Sequence, residues 1–326
     1  MPEPLSVAVC ACTYERPEGL RRLLGGVAAQ SFHVFASERG EAPRLHVVIA
    51  DNEGSAEVRG ICETFAKETG IPCTYVHEPE RGISFARNAC LDRLPPDAEF
   101  FAFVDDDEVP EPDWLDQLLL AQRKTGADAV QGRVVPRFEG QPPRWVADGG
   151  FFAVPRRGHG VKLPNVEDLA PLDRAATNNV LVRAEPVRAH GLSFDPAFAL
   201  SGGSDTLFFR TLHALGCRIV HAANAVVAEH VPAARANLRY LMRVRFKTGN
   251  TAARIDAEMG KASPSDSTAK RVSAAMGDIV LGLRRMLKSL LTGKWEADRF
   301  AIGVLRIAYG AGYVAGALGY RHQHYR

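Results

Sequence analysis

Residues 100–108 read Phe-Phe-Ala-Phe-Val-Asp-Asp-Asp-Glu, five apolar residues that run into four acids. An unbroken apolar run is what a strand carries when both of its faces are covered. Phe100–Val104 is therefore expected as a central strand, with Asp105, Asp106, Asp107 and Glu108 just beyond its carboxyl end. Acids crowded into a dry cleft raise one another's pKa unless a cation joins them. Hard carboxylate oxygens in this arrangement suit Mg2+ or Mn2+, ions that usually bridge substrate phosphates. The alternative is a solvated acidic turn ahead of a helix at Trp114, which Pro110 and Asp113 would help to start.

Outward from this stretch, strand-like and helix-like segments alternate. Upstream, Ser6–Thr13 is an apolar strand, and Pro17–Gln30 carries Leu20, Leu23, Leu24 and Val27 at helical spacing. Leu45–Ala50 is a second strand, Glu57–Thr69 a helix closed by Gly70, and Cys73–Glu78 a third strand. Ile83–Leu94 is a helix stopped by Pro95 and Pro96. Downstream come a helix over Trp114–Thr125 and a strand over Ala129–Val135. Residues 136–171 loosen into a Gly-, Pro- and aromatic-rich loop region, after which strands are expected at Asn179–Arg183 and Arg218–His221 and a helix at Asp205–Leu215. This alternation predicts an α/β fold, a Rossmann-like, mostly parallel sheet with helices on both faces. Ligands bind such sheets beyond the carboxyl ends of the strands. Thr13 to Pro17, Asp51 to Glu53 and the four acids should therefore meet at one cleft.

The chain has 326 residues, 46% hydrophobic and 24% charged, which excludes disordered, collagen-like and disulfide-scaffold classes. The six cysteines include no Cys-x-x-Cys pair and read as reduced thiols of a cytoplasmic protein. Residues 1–6 lack the basic and apolar regions of a signal peptide. The overall charge of +2 hides a strong asymmetry, because residues 234–326 carry 17 Lys and Arg against 6 Asp and Glu. An acidic body is joined to a basic extension.

Five segments, Val7–Pro17 (VAVCACTYERP), Val48–Glu53 (VIADNE), Gly82–Asn88 (GISFARN), Phe101–Leu115 (FAFVDDDEVPEPDWL) and Gly202–Arg210 (GGSDTLFFR), resemble glycosyltransferase family 2 in their order and spacing. These are inverting enzymes of the GT-A type that use nucleoside-diphosphate sugars. The resemblance spans roughly residues 5–250 and is nearest in character to bacterial exopolysaccharide and cell-surface glycosyltransferases. It implies a GT-A catalytic domain over residues 1–233, its nucleotide-sugar half about 1–135 and its acceptor half about 136–233, followed by a helical extension over 234–326.

The resemblance also implies roles. Thr13, Glu15 and Arg16 would hold the base and ribose of the donor, a UDP-sugar. Asp51 would accept a base N–H in a charge-assisted bond; the alternative is a turn-forming Asp. Arg87 would pair with the diphosphate, its planar fork suiting phosphate oxygens, unless it lies on a solvated helix face. Asp105 or Asp106 would sit near the ribose, and Asp107, the last acid of the Asp-x-Asp pattern, would bind the metal, Mn2+ or Mg2+. His230 would complete the metal site. The family's Glu-Asp pair at a helix start corresponds here to Ser204-Asp205, so the Glu is lost and Asp205 is kept as the base that takes the acceptor hydroxyl proton. The alternative is that Ser204 or Asp205 only caps the helix. Ser204, Asn178 and Trp145 would line the acceptor side, Trp145 by stacking on a sugar or else by anchoring its loop. Arg243, Arg245 and Lys247 would close over the diphosphate, unless they form a solvated basic face.

In the extension, Ala234–Arg254 reads as a basic helix, residues 260–268 as a linker, and Val272–Leu291 as an amphipathic helix. Val272, Met276, Ile279, Leu283, Met286, Leu287 and Leu290 share one face of the latter. Residues 300–320 form a 21-residue apolar run with one charge, Arg306, and five glycines. A helix that spans a bilayer needs about 20 apolar residues. The segments therefore suit either peripheral contact with an anionic bilayer or packing on the catalytic domain. The expected location is the cytoplasmic face of the inner membrane, with a glycan or lipid-linked acceptor. No nucleic-acid partner is expected, since no recognition motif accompanies the basic residues. Two other readings stay open. One is a nucleotidyltransferase, although the segment after the first strand has no glycine-rich phosphate loop. The other is a non-catalytic nucleotide-sugar-binding scaffold.

Overall fold

The computed structural model describes residues 4–152, 167–262, 268–291 and 297–322. Parts of the N-terminal segment (1–3), of the expected loop region (153–166) and of the expected linker (263–267) lie outside the described residues. In chain order the elements are β1 (Ser6–Thr13), α1 (Pro17–Ala28), α2 (His33–Arg39), β2 (Arg44–Asp51), α3 (Ala56–Thr69), β3 (Cys73–His77), α4 (Ile83–Asp92), β4 (Phe100–Phe103), β5 (Glu108–Pro110), α5 (Trp114–Thr125), β6 (Ala129–Phe138) and α6 (Arg144–Ala147). They continue with β7 (Pro171–Leu172), β8 (Val180–Arg183), α7 (Ala184–Ala189), α8 (Ser204–Ala214), β9 (Ile219–Val231), α9 (Leu238–Ala262), α10 (Thr268–Leu291) and α11 (Ala297–Ala317).

The strands form one nine-stranded sheet in the order β3-β2-β1-β4-β8-β6-β9-β5, with β7 paired to β9. β1 to β4 run parallel, joined by helical crossovers, as the alternation of strand and helix predicts. Beyond β4 the sheet is mixed: β8 is antiparallel to both β4 and β6, β6 and β9 are parallel, and β5 and β7 are antiparallel to β9. The two strand segments legible around 218–221 and 225–228 are one long strand, β9, whose register shifts between Gly132 and Arg133 of β6. Asn179 fills that irregularity. Its amide donates to Arg133 O and Ala225 O and accepts from Trp114 Nε1 at 2.7 Å.

Alternate residues of β1 feed two cores on opposite faces of the sheet. Val7, Val9 and Ala11 pack with Leu20, Leu23, Val58, Phe65 and Leu118 of α1, α3 and α5. Ala8 and Cys10 pack with Ala86, Cys90, Phe208 and Phe209 of α4 and α8. Helices therefore cover both faces, and the strand ends are left as the open edge.

The basic extension folds back as three packed helices. A Cβ on Gly312 of α11 would lie 2.0 Å from Phe246 O of α9, and one on Gly249 would lie 2.0 Å from Tyr309 O, so the two backbones touch. Arg306, the one charge in the apolar run, is paired with Asp278 of α10 at 3.1 Å. Within Arg299–Ala317, a stretch long and apolar enough to cross a membrane, half of the helix is buried inside the protein. Val146, Phe151, Val231, Leu241, Ile302 and Leu305 join this helical layer to α6 and the end of β9.

Candidate active site

The three acid-bearing strand ends meet. In the β1–β2 register Thr13 lies opposite Asp51, and Thr13 Oγ1 donates to Asp106 Oδ2 at 2.9 Å. The helix after β1 is seated directly on the acidic turn, since a Cβ on Gly19 would fall 2.4 Å from Asp106 O. Glu15 holds φ 53°, a left-handed conformation unusual for a side-chain-bearing residue and typical of functional loops. The next residue, Arg16, reaches across to the acids, with Nη1 2.9 Å from Asp106 Oδ1 and 3.0 Å from Asp107 Oδ2.

The four acids have different fates. Glu108 is buried and its Oε2 accepts the N–H of Asp105 at 3.0 Å, so it holds the turn from inside. Burial, with Asp105 adding, pushes its carboxyl well above the usual range. Asp106 is raised by burial against the opposing pull of Arg16. Asp105 is pushed up to about 7, first by burial and then by Asp107, Asp106 and Asp205, with Arg87 opposing. Asp107 is the acid that gathers cations: its Oδ2 also accepts from Arg235 Nη1 at 3.1 Å. Arg235, which also lies 3.9 Å from Glu229, was not singled out by sequence reasoning. The signal was its place in the basic run after His230, but only the β5–β9 pairing turns it toward the acids.

That same pairing, Glu108 opposite Glu229, sets His230 beside Asp107, and the His230 N–H donates to Asp107 O at 2.8 Å. The donor chemistry fits a hard divalent ion, because the Asp107 carboxylate already draws in two guanidinium groups and a histidine is its neighbour. Among the described residues no three His, Cys, Asp or Glu groups converge as a closed metal cage.

Asp51 is fully buried, and its carboxylate accepts from Glu53 N, Ser55 N and Tyr75 Oη at 2.7–3.0 Å. It thus shapes the turn after β2, the alternative weighed for it above. Arg87 of α4 is buried and donates from Nη1 to Ser204 Oγ at 3.2 Å. Neither Ser204 nor Asp205 caps α8: the cap position is Gly203, and no side chain bonds there. Asp205 instead stands in the first turn, its Oδ1 accepting the Thr206 N–H at 2.7 Å.

The loop that carries Asp205 rests on α9. Gly203 has φ 95°, and a Cβ there would meet Thr251 Cγ2 at 2.0 Å, so only glycine fits both the turn and the contact. Lys247 lies against Gly202 on the same face of α9. Burial pulls its pKa down to about 8, with Arg87 adding to the fall and Asp205 opposing it. Ser204, bonded to Arg87, and Gly202, against Lys247, therefore flank Asp205, whose charge is felt at both Asp105 and Lys247.

Not every expected residue joins them. Arg245, two residues before Lys247 and turned to another side of α9, is buried and senses Tyr309 of α11. Arg243 is exposed one turn before Lys247. The three lie on a helix rather than on a closing loop. Trp145 packs edge-on against Phe151, 5.7 Å between ring centroids, at the join between loop and helical layer. Asn178 has its Oδ1 buried with no hydrogen-bond partner among the described residues, so a donor from a ligand would be matched there.

Comparison with known proteins agrees with this geometry. The family model described as Glycosyl transferase family 2 matches residues 8–181. The succinoglycan biosynthesis protein ExoM of Rhizobium meliloti (strain 1021) is 37% identical over 256 residues, 78% of this chain and 77% of that protein. Among solved structures, the mannosyltransferase PcManGT from Pyrobaculum calidifontis, in complex with GDP-Man and Mn2+, aligns at a TM-score of 0.61. It is 17% identical, and the match covers 97% of this chain and 88% of that one. S. aureus TarS 1–349 in complex with UDP aligns at 0.51 with 13% identity, covering 99% of this chain and 93% of its own.

Proposed function

The chain belongs to glycosyltransferase family 2 and has a GT-A-like α/β fold, and on that premise we propose that it transfers a sugar, with inversion, from a nucleoside-diphosphate sugar to a hydroxyl of an exopolysaccharide or other cell-surface glycan. The observation that carries this reading is the setting of Asp205, between Ser204, which Arg87 holds at 3.2 Å, and Gly202, against which Lys247 lies, with its charge felt at Asp105 of the acidic turn. It combines a carboxylate free of capping duty, two cations for a diphosphate, and an acidic turn that attracts more cations. The solved neighbours hold GDP-Man and UDP, and a UDP-sugar is the first donor to try.

Asp205 takes the proton of the acceptor hydroxyl while its oxygen bonds to the anomeric carbon. The bond from that carbon to the diphosphate oxygen breaks, and its electron pair leaves with the nucleoside diphosphate. Arg87 and Lys247 receive that charge, Arg87 with a fork suited to phosphate oxygens. Asp107 and His230 would hold Mn2+ or Mg2+, which supplies further charge neutralisation for the leaving diphosphate when bound. Arg16 and Arg235 both bond to Asp107 and add positive charge beside it. Thr13 and Glu15 are read as the nucleoside end, with Asp51 shaping it through the turn after β2, and Asn178 and Ser204 as the acceptor side, with Trp145 anchoring its loop.

We read the protein as peripheral to the cytoplasmic face of the inner membrane. Support comes from the outer face of α10, where Met276, Val280, Leu283 and Leu287 are exposed next to Arg284, Arg285 and Lys288. The one acid of α10, Asp278, is turned inward to Arg306. An apolar stripe flanked by bases complements an anionic lipid surface. Vesicles containing phosphatidylglycerol should sediment wild-type protein and lose the L283E/L287E variant; equal binding by both would refute this contact.

The test of function is nucleoside diphosphate release from a panel of UDP- and GDP-sugars with Mn2+. Release should vanish in D107N and D205N. Donor binding without release for every sugar and acceptor tried would favour a non-catalytic scaffold.

A further inference from the structure

A cavity of about 350 Å3 lies away from the acid cluster, between α9, α10, the end of α11 and the turn over Pro196–Phe198. Its wall carries three arginines, Arg254, Arg271 and Arg321, and two acids, Asp256 and Glu258. Asp256 does not balance them. Its Oδ1 is taken by Arg210 at 2.7 Å, from α8, and its Oδ2 by the Tyr313 hydroxyl at 2.9 Å. Glu258 is exposed at the rim. Among the described residues neither Arg254 nor Arg321 forms an ion pair, and small residues such as Ala253, Ala257 and Gly316 leave the space between them open.

Arg254 is held in a fixed plane. Its Nη1 donates to Ser201 Oγ at 2.6 Å, its Nη2 donates to Ala197 O at 2.8 Å, and the guanidinium carbon lies 4.4 Å from the Phe198 ring centroid. Burial pushes its pKa down, the charge of Arg321 adds to the fall, and Asp195 and Glu258 oppose it. Arg254, preset in this way, and Arg321 line the same cavity, and an anion between two guanidinium groups offsets their repulsion. Arg271 donates to Asp256 O at 2.7 Å and brings a third positive charge to the same wall.

We propose that this cavity is a second anion site, taking a phosphate or diphosphate group between Arg254 and Arg321. Its contact with the cleft runs through Ser201, which opens the Gly202-Gly203-Ser204-Asp205 segment. Occupancy therefore steadies the loop that carries Asp205. Two sources share this chemistry: the diphosphate of a lipid-linked acceptor, and free phosphate or diphosphate in solution. The cavity holds none of the residues assigned to the reaction, and its test reads binding alone, so it survives or fails independently of the reaction proposed above.

The probe is inorganic pyrophosphate, titrated calorimetrically into the full chain in chelator with saturating UDP to fill the donor cleft. Wild-type protein should retain a UDP-insensitive pyrophosphate site, and R321Q, a change at an exposed residue, should weaken it at least tenfold with UDP binding unchanged. R254Q should do the same, and circular dichroism checks that it is folded. Farnesyl diphosphate assigns the source: binding tenfold tighter than pyrophosphate and lost in R321Q supports a lipid-linked group, and equal binding supports a free phosphate. Pyrophosphate binding that UDP displaces completely, or that R321Q leaves unchanged, overturns the proposal.

Discussion

The two sides of the cleft are built by different means. The donor side belongs to the sheet: Thr13, Asp51 and the acids of residues 105–108 are set by strands β1, β2 and β4, with Thr13 bonded to Asp106. The Asp205 side belongs to the helical extension, because its loop is seated on Thr251, Lys247 and Arg254 of α9. The charge asymmetry of the sequence thus becomes a property of the site. The acidic body supplies Asp105, Asp106, Asp107 and Asp205, and the basic extension returns Arg235 and Lys247 to face them. A segment that looks like an appendage packs against the loop that carries Asp205.

This contrast can be broken experimentally. The largest effect is expected at the reacting atoms: D205N should lower the transfer rate about 10³-fold, near 4 kcal/mol, with nucleoside diphosphate affinity unchanged by calorimetry. A parallel loss of affinity would mean that Asp205 holds the donor instead. Next is the helical wall itself. Gly312→Ala puts a methyl group onto Phe246 O, and forced separation of α9 and α11 should cost about 3 kcal/mol in denaturant unfolding. Donor affinity should fall with it, as Lys247 and Arg235 shift; if affinity holds, the extension is not part of the site. Gly203→Ala meets both a left-handed φ and Thr251 Cγ2, at about 2 kcal/mol. Its activity should fall more than its donor binding.

The amount of this that the sequence foretold follows from what each feature depends on. β1, β4 and the buried end of β2 were legible because a strand covered on both faces leaves an unbroken apolar run, and the half-buried edge strand β3 was marked by its place between helices with caps such as Gly70 at φ 71°. Strand direction left no such trace. β8 reads like its parallel neighbours yet runs opposite to β4, and β9 was split in two by the irregularity that Asn179 fills. Arg87, Asp105, Asp205 and Lys247 were named from the chain and do meet. Arg235 was not, since its link to Asp107 exists only through the β5–β9 register. Arg245 illustrates the converse: its charge suggested the cleft, but its position on α9 turns it toward Tyr309. In α10 the apolar stripe divides, with Ile279 and Met286 half-buried and Met276, Leu283 and Leu287 outside.

Smaller effects sharpen the comparison. Lys247, with its pKa pulled down to about 8, is charged below that value in both free and bound protein. Above pH 8 the free protein loses the proton and the diphosphate complex keeps it. Asp105, pushed up to about 7, ionises mostly below this range, so the Lys247 signature is read above it: nucleoside diphosphate affinity should fall by nearly tenfold between about pH 7.5 and pH 9. K247R, whose guanidinium stays charged, should show a flat profile; a wild-type decline that persists in K247R would point to another group. At the small end, D97A removes an exposed pair with Arg44 on the far side of the sheet and should change stability by about 0.5 kcal/mol without touching activity.

The most direct measurement is the anomeric form of the first product. An α-linked UDP-sugar that the protein accepts, followed by 1H NMR in the first minutes with water as acceptor, should release the β-sugar ahead of mutarotation, and D205N should release none. Early appearance of the α-sugar, or unchanged release by D205N, would contradict direct displacement with Asp205 as base.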